Sequence, residues 1–152
     1  MINKSLNIND VLLTPLKIIN LPNGDVMHAM KSSDRGYENF GEAYFSTINS
    51  GDIKAWKRHK KMTLNLIVPF GEVKFVLYDD RLKSTSYGEY TEIVLSRSNY
   101  YRLTVPPMLW MGFNGLGTDT SIILNVANIE HEPDEVDRKE EDQILYNWEF
   151  EQ

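Results

Sequence analysis

The sequence predicts an all-β protein, a sandwich or barrel of short strands. Roughly nine segments rich in Val, Ile, Tyr, Phe and Thr recur at near-regular spacing. Turn residues separate them, and no long stretch carries the 3.6-residue apolar period of a helix. Short strands punctuated in this way are the pattern of sandwiches and barrels.

The segments follow in order. VMHAMK (26–31) emerges from the turn Pro22-Asn23-Gly24-Asp25. AYFSTI (43–48) and IKAWKRH (53–59) flank Asn49-Ser50-Gly51-Asp52. LNLIVPF (64–70) is the next segment. EVKFVLYDD (72–80) follows the turn Pro69-Phe70-Gly71. TEIVLS (91–96) lies beyond Tyr87-Gly88, and YYRLTVP (100–106) ends at a proline. SIILNVAN (121–128) follows turns at Asn114-Gly115 and Gly117-Thr118, and ILYNWEF (144–150) is the last segment. Only VDRKEED (136–142) reads as a helical turn or two, on the surface because it is so polar.

The 152 residues suit one domain, 1–152, with enough chain to bury a core. Hydrophobic residues make up 41% and charged residues 25%, the balance of a globular protein. Cysteine is absent, which excludes a disulfide scaffold and a thiolate metal site and suits a reducing compartment. There is no secretory h-region and no apolar run long enough to span a membrane, so a cytoplasmic protein is expected. The net charge of −6 argues against a general nucleic-acid binder.

Against that acidity, KAWKRHKKM (54–62) packs five basic side chains and a histidine around one tryptophan. Regular strand alternation puts Ala55, Lys57 and His59 on one face and Lys54, Trp56 and Arg58 on the other. Lys54, Arg58, Lys60 and Lys61 suit an anionic ligand such as a diphosphate, or they form a solvated turn after a strand. One histidine here cannot hold a transition metal, so no metal is expected.

The order of blocks carries a resemblance. GDIKAWKRH is followed by LNLIVPFGEVKFVLYDDR, STSYGEY, LSRSNYYRLTVPPMLWMGF and IEHEPDEVDR…DQILYNW. From about Gly24 to Trp148 this resembles the dTDP-4-dehydrorhamnose 3,5-epimerase family. Those proteins are cupin-type jelly rolls, double-stranded β-helix barrels acting on nucleotide-linked keto-sugars. The resemblance implies that fold here, with short N- and C-terminal extensions, and a homodimer.

It also implies a chemistry. A histidine oriented by a carboxylate removes a proton beside a ketone, a lysine steadies the enolate, and a tyrosine returns a proton to the other face. Carried over, the catalytic histidine position falls on Lys57, the enolate lysine near Leu64, a further histidine on Met111, and the tyrosine on Asn125. The dyad carboxylate falls at Glu141 or Asp142. Asp79 and Arg81 match an Asp-x-Arg block.

The expected catalytic residues are therefore Lys57, His59 and Tyr78. The expected substrate contacts are Lys54, Arg58, Lys60, Asp79, Arg81 and Asn125. Asp79 and Arg81 equally suit an internal ion pair that fixes sheet geometry. No cofactor is expected. The expected function is a sugar-nucleotide epimerase or isomerase acting beside a 4-keto group in surface-polysaccharide biosynthesis. The alternative is a catalytically degenerate cupin that binds a nucleotide-sugar or a partner enzyme without chemistry.

Overall fold

Strand follows strand, and most long steps along the chain cross from one sheet to the other. The computed structural model describes residues 6–149. Its strands are β1 Leu12–Pro15, β2 Ile18–Ile19, β3 Val26–Met27, β4 Glu42–Ile48, β5 Ile53–His59, β6 Leu64–Phe70, β7 Glu72–Tyr78, β8 Tyr90–Ser96, β9 Tyr101–Val105, β10 Trp110–Leu116, β11 Ser121–Ala127 and β12 Val136–Arg138. One antiparallel sheet has the order β1-β9-β6-β11-β4, the other β12-β5-β10-β7-β8, and β2 pairs only with β3. The result is the all-β jelly roll the sequence led us to expect. No helix among the described residues is long and apolar enough to cross a membrane.

The core lies between the two large sheets. On β7 the alternation is clean: Val73, Phe75 and Leu77 point inward, while Val76 and Tyr78 belong to an outer cluster. Leu64, Leu66 and Val68 of β6, and Leu103 and Val105 of β9, fill the opposite wall. The outer cluster forms where the segment after β12 folds back, laying Ile144 and Trp148 over Trp56, Val76 and Trp110.

Three expectations change. The segment 110–116 is a central strand, although its Asn114-Gly115 pair reads as a turn. Its glycines mark close approach instead: a Cβ on Gly115 would lie 2.4 Å from the Asn49 carbonyl oxygen. VDRKEED is not helical; Val136–Arg138 pairs with β5, and only Glu141–Gln143 forms a 3-10 turn. Within 144–149 there is no strand, because Ile144 and Trp148 dock side-on into the outer cluster; Phe150 lies outside the described residues.

The turn between β6 and β7 is forced by Gly71. Its φ is 87°, and a Cβ there would meet Ser121 Oγ at 2.2 Å. That tight reversal carries the chain from one sheet to the other.

Candidate active site

The basic strand β5 does not alternate as its sequence suggests. Opposite it on β10, the register shifts between Met111 and Phe113, with Arg58 facing Trp110, Lys57 facing Met111 and Lys54 facing Phe113. Gly112 alone therefore stands opposite both Ala55 and Trp56, as in a β-bulge. Ala55 and Trp56 both turn to the outer cluster, while Lys54 joins Lys57 and His59 on the inner face. Lys54 was expected on the other face; the extra residue moves it.

The inner cations border a cavity of about 380 Å³, within the usual range of small-molecule sites, about 300–1,000 Å³. Lys54, Lys57, Arg138, Gln143, Met111 and Phe113 line it. Arg138 arrives because β12 pairs with the edge of β5, setting Arg138 beside Lys57 and Val136 beside His59. Burial, then the like charges of Arg138 and Lys54, lower the Lys57 pKa below the ordinary lysine value. Lys54 Nζ donates to the Thr47 carbonyl across the gap at 2.7 Å.

One alternation beyond Lys57, His59 forms a short hydrogen bond through Nδ1 to Glu135 Oε1. Glu135 is buried, and its second oxygen accepts the backbone N–H groups of Lys61 (3.1 Å) and Met62 (3.3 Å). Burial works to raise its pKa. The hydrogen bonds from His59, Lys61 and Met62 outweigh that and hold it below the ordinary glutamate value. A carboxylate only accepts, so His59 Nδ1 donates, and the neutral ring then keeps its lone pair on Nε2. The carboxylate thus orients the ring.

The carboxylate bonded to His59 is Glu135, whereas the resemblance implied Glu141 or Asp142. Glu141 sits in the 3-10 turn, where its carbonyl accepts the Trp56 indole N–H. Nothing in the spacing marked Glu135 among ten acids after residue 129.

Asn125 lies on the inner face of the facing sheet and is 2% exposed. Its Oδ1 accepts the Asn65 backbone N–H at 3.0 Å, and its Nδ2 donates to the Tyr44 hydroxyl at 3.0 Å. A backbone N–H can only donate, so this orientation of the amide is settled. Tyr44 stands directly opposite Asn125 across β4 and β11.

The remaining expected residues lie elsewhere. Tyr78 points to the outer face, its ring 4.5 Å from that of Tyr90, because Leu77 takes the inward position. Arg58 also points outward. It pairs with Asp137 at 2.8 Å and Asp80 at 3.3 Å, and lies over the Trp110 ring at 4.6 Å. Lys60 reaches the same Asp137 at 3.7 Å. Asp79 is fully buried and accepts from Arg81, Ser84 and Ser86. The Asp79–Arg81 pair thus shapes the turn after β7. Tyr78, Arg58, Lys60, Asp79 and Arg81 thus point away from the cavity; Lys54 and Lys57 line it, while His59 and Asn125 lie on the inner faces outside its lining.

Comparison with known proteins finds the chain similar to proteins of sugar metabolism. No protein-family model matches the chain. A dTDP sugar isomerase from Desulfovibrio desulfuricans superposes with a TM-score of 0.92 and 34% identity, covering 95% of this chain and 94% of that one. A probable low-salt glycan biosynthesis epimerase of Haloferax volcanii is 29% identical over 121 residues, 78% of each protein. The spore coat polysaccharide biosynthesis protein SpsL of Bacillus subtilis is 29% identical over 133 residues, 77% of this chain and 88% of that protein.

Proposed function

The chain belongs to the dTDP-4-dehydrorhamnose 3,5-epimerase family of cupin-type sugar-nucleotide epimerases, and from that membership we propose how its own residues do the work. It is a sugar-nucleotide epimerase or isomerase. Its substrate is a dTDP-linked, or other nucleotide-linked, 4-keto-deoxysugar destined for a surface polysaccharide.

The observation that carries the reading is the His59–Glu135 pair beside Lys57. A hydrogen next to a ketone is acidic enough for a well-held imidazole to remove. Glu135 fixes the tautomer, so Nε2 takes the proton and Glu135 steadies the imidazolium. The electrons pass to the ketone oxygen. An ammonium or guanidinium on the inner face offsets that developing charge, and Lys57 is placed for it. Lys54 and Arg138 supply further positive charge for the diphosphate.

This dyad favours catalysis over binding alone. Glu135 also caps the Lys61 and Met62 N–H groups, so the histidine contact rather than the burial carries the reading. Incubation with dTDP-4-keto-6-deoxyglucose in deuterated water tests the proposal. Deuterium appears beside the ketone with the native protein and disappears with His59→Gln. Tight binding with no label sinks the enzyme and supports the binder.

We also propose that the protein works in the cytoplasm as a homodimer. A single-copy mass by sedimentation equilibrium at micromolar concentration overturns the dimer.

A further inference from the structure

An antiparallel sheet with one solvated face alternates apolar side chains inward and polar side chains outward. Two strands here reverse that rule. On β11, Ser121 and Asn125 point inward with Ile123 and Ala127, while Ile122, Leu124 and Val126 point away from the core. On β4, the register sets Glu42, Tyr44 and Ser46 opposite the inward residues of β11, and Ala43, Phe45 and Thr47 opposite the outward ones. The polar side of this wall faces in and the apolar side faces out.

The rest of that outer face is covered by the chain itself, and there it is polar. Arg102 of β9 donates to the carbonyls of Ala29 and Arg35, and Asn65 of β6 donates to the Gly36 carbonyl. The uncovered part is the apolar part. Phe45 is 70% exposed, with Leu124 directly opposite, and Phe70 beside Ile122 is 54% exposed. A phenylalanine buries about 150–250 Å² when covered, so these two rings leave roughly 200–300 Å² open before the β11 row is added. The β2–β3 arm borders the same surface, since Ile18 shares a hollow with Gly71, the residue after Phe70. It brings Leu21 and Val26, both half-exposed. Scattered apolar side chains are ordinary, but a contiguous patch of several hundred Å² marks an interface.

Charge selects the occupant. The chain carries a net charge of −6, so two copies repel over most of their surface. None of the six outward side chains on β4 and β11 is charged. An uncharged patch offers no electrostatic complement to a different partner, but it matches itself across a two-fold axis.

We propose that two copies of this chain meet through the outer face of β4, β11 and the end of β6, sheet on sheet, with Phe45 and Leu124 at the centre. This rests on the homodimer reading above and gives it a place in the fold. A stable contact takes about 800 Å² from each partner; the two rings, the β11 row and the arm lie together to supply it. The same strands hold Asn125 and the Thr47 carbonyl that accepts Lys54 on their inner side, so the contact backs one wall of the site.

Sedimentation equilibrium of the full chain tests the face. Phe45→Glu puts an unpaired charge into the contact, and the dissociation constant of the pair rises roughly 100-fold or more. Leu145→Glu changes a side chain that is 90% exposed on the segment covering the other sheet, and leaves pairing as it is. Native-like pairing in Phe45→Glu overturns the assignment, and so does equal loss of pairing in Leu145→Glu. Because the chain has no cysteine, Thr47→Cys adds a thiol that reports on this face alone. Its maleimide labelling is slowed roughly 10-fold or more in the paired protein and recovers on adding Phe45→Glu. Labelling at the rate of an exposed thiol in a sample of two-copy mass overturns this face and leaves the homodimer reading standing. A single-copy mass for the native chain brings down the homodimer reading and this face with it, and passes the patch to a different protein or a lipid surface.

Discussion

The indole of Trp148 roofs Gly112, its ring carbons 2.9 Å from where a Cβ on Gly112 would sit. On the same side, Ala55 Cβ would come within 2.8 Å of that atom. The glycine lets the C-terminal segment press onto the sheet behind the site. Gly112→Ala is expected to lower stability by about 1–3 kcal/mol through overpacking, read by urea unfolding. Trp148→Phe in the Gly112→Ala background is expected to recover part of the loss.

Glu135→Gln keeps the size of the side chain and removes its charge. Its amide oxygen can keep the 61–62 backbone bonds, but its NH2 then donates to Nδ1 and forces the ring proton onto Nε2, the wrong tautomer for a base. Turnover is expected to fall about 10²–10⁴-fold with fixed substrate. Circular dichroism and the melting curve show whether the fold survives the change.

Lys57→Met removes the inner-face ammonium while leaving a similar stem. The expected loss is about 10²–10³ in kcat, with a smaller change in KM. Because burial and neighbouring cations lower the Lys57 pKa, the alkaline decline of native activity should begin below the ordinary lysine range near ~10.4. A pH profile that is unchanged in Lys57→Arg argues against this role.

Arg58→Gln should leave KM nearly unaltered. The guanidinium points away from the cavity to Asp137, Asp80 and the Trp110 ring. The cost appears in stability, about 1 kcal/mol for partly exposed contacts of this kind. A large rise in KM for the nucleotide-sugar would contradict the outward placement.

Stability should fall in acid. Hydrogen bonds from Arg81, Ser86 and Ser84 outweigh burial and hold the Asp79 pKa well below the ordinary aspartate value, and Glu135 is also lowered. A carboxylate with a depressed folded pKa stabilises the fold above its unfolded pKa and stops doing so as pH falls through the folded value. Tm is therefore expected to be flat above about pH 5 and to drop below about pH 4. Asp79→Asn should flatten that drop while lowering Tm at neutral pH.

The sequence was legible where periodicity reports directly on burial. Val73, Phe75 and Leu77 announce their strand and face without help. It was illegible where one residue breaks the period. The extra residue at Ala55–Trp56 is visible only through its partner Gly112, so Lys54 was placed on the wrong face and Arg58 was grouped with the ligand contacts. The glycines of β10 read as turns because a sequence does not show which backbones come close. Glu135 was hidden for a third reason. Its role depends on a three-residue strand that propensity cannot find, since Val136–Arg138 exists only by pairing with β5.

That pairing makes the site depend on the closing segment. His59 is in place once β5 joins its sheet, but Glu135 and Arg138 come from a segment that follows every large strand in sequence. A molecule with both sheets formed and that segment loose would have a core and no working base. Turnover is therefore a gauge of whether the closing segment has latched, more sensitive than any measure of sheet content.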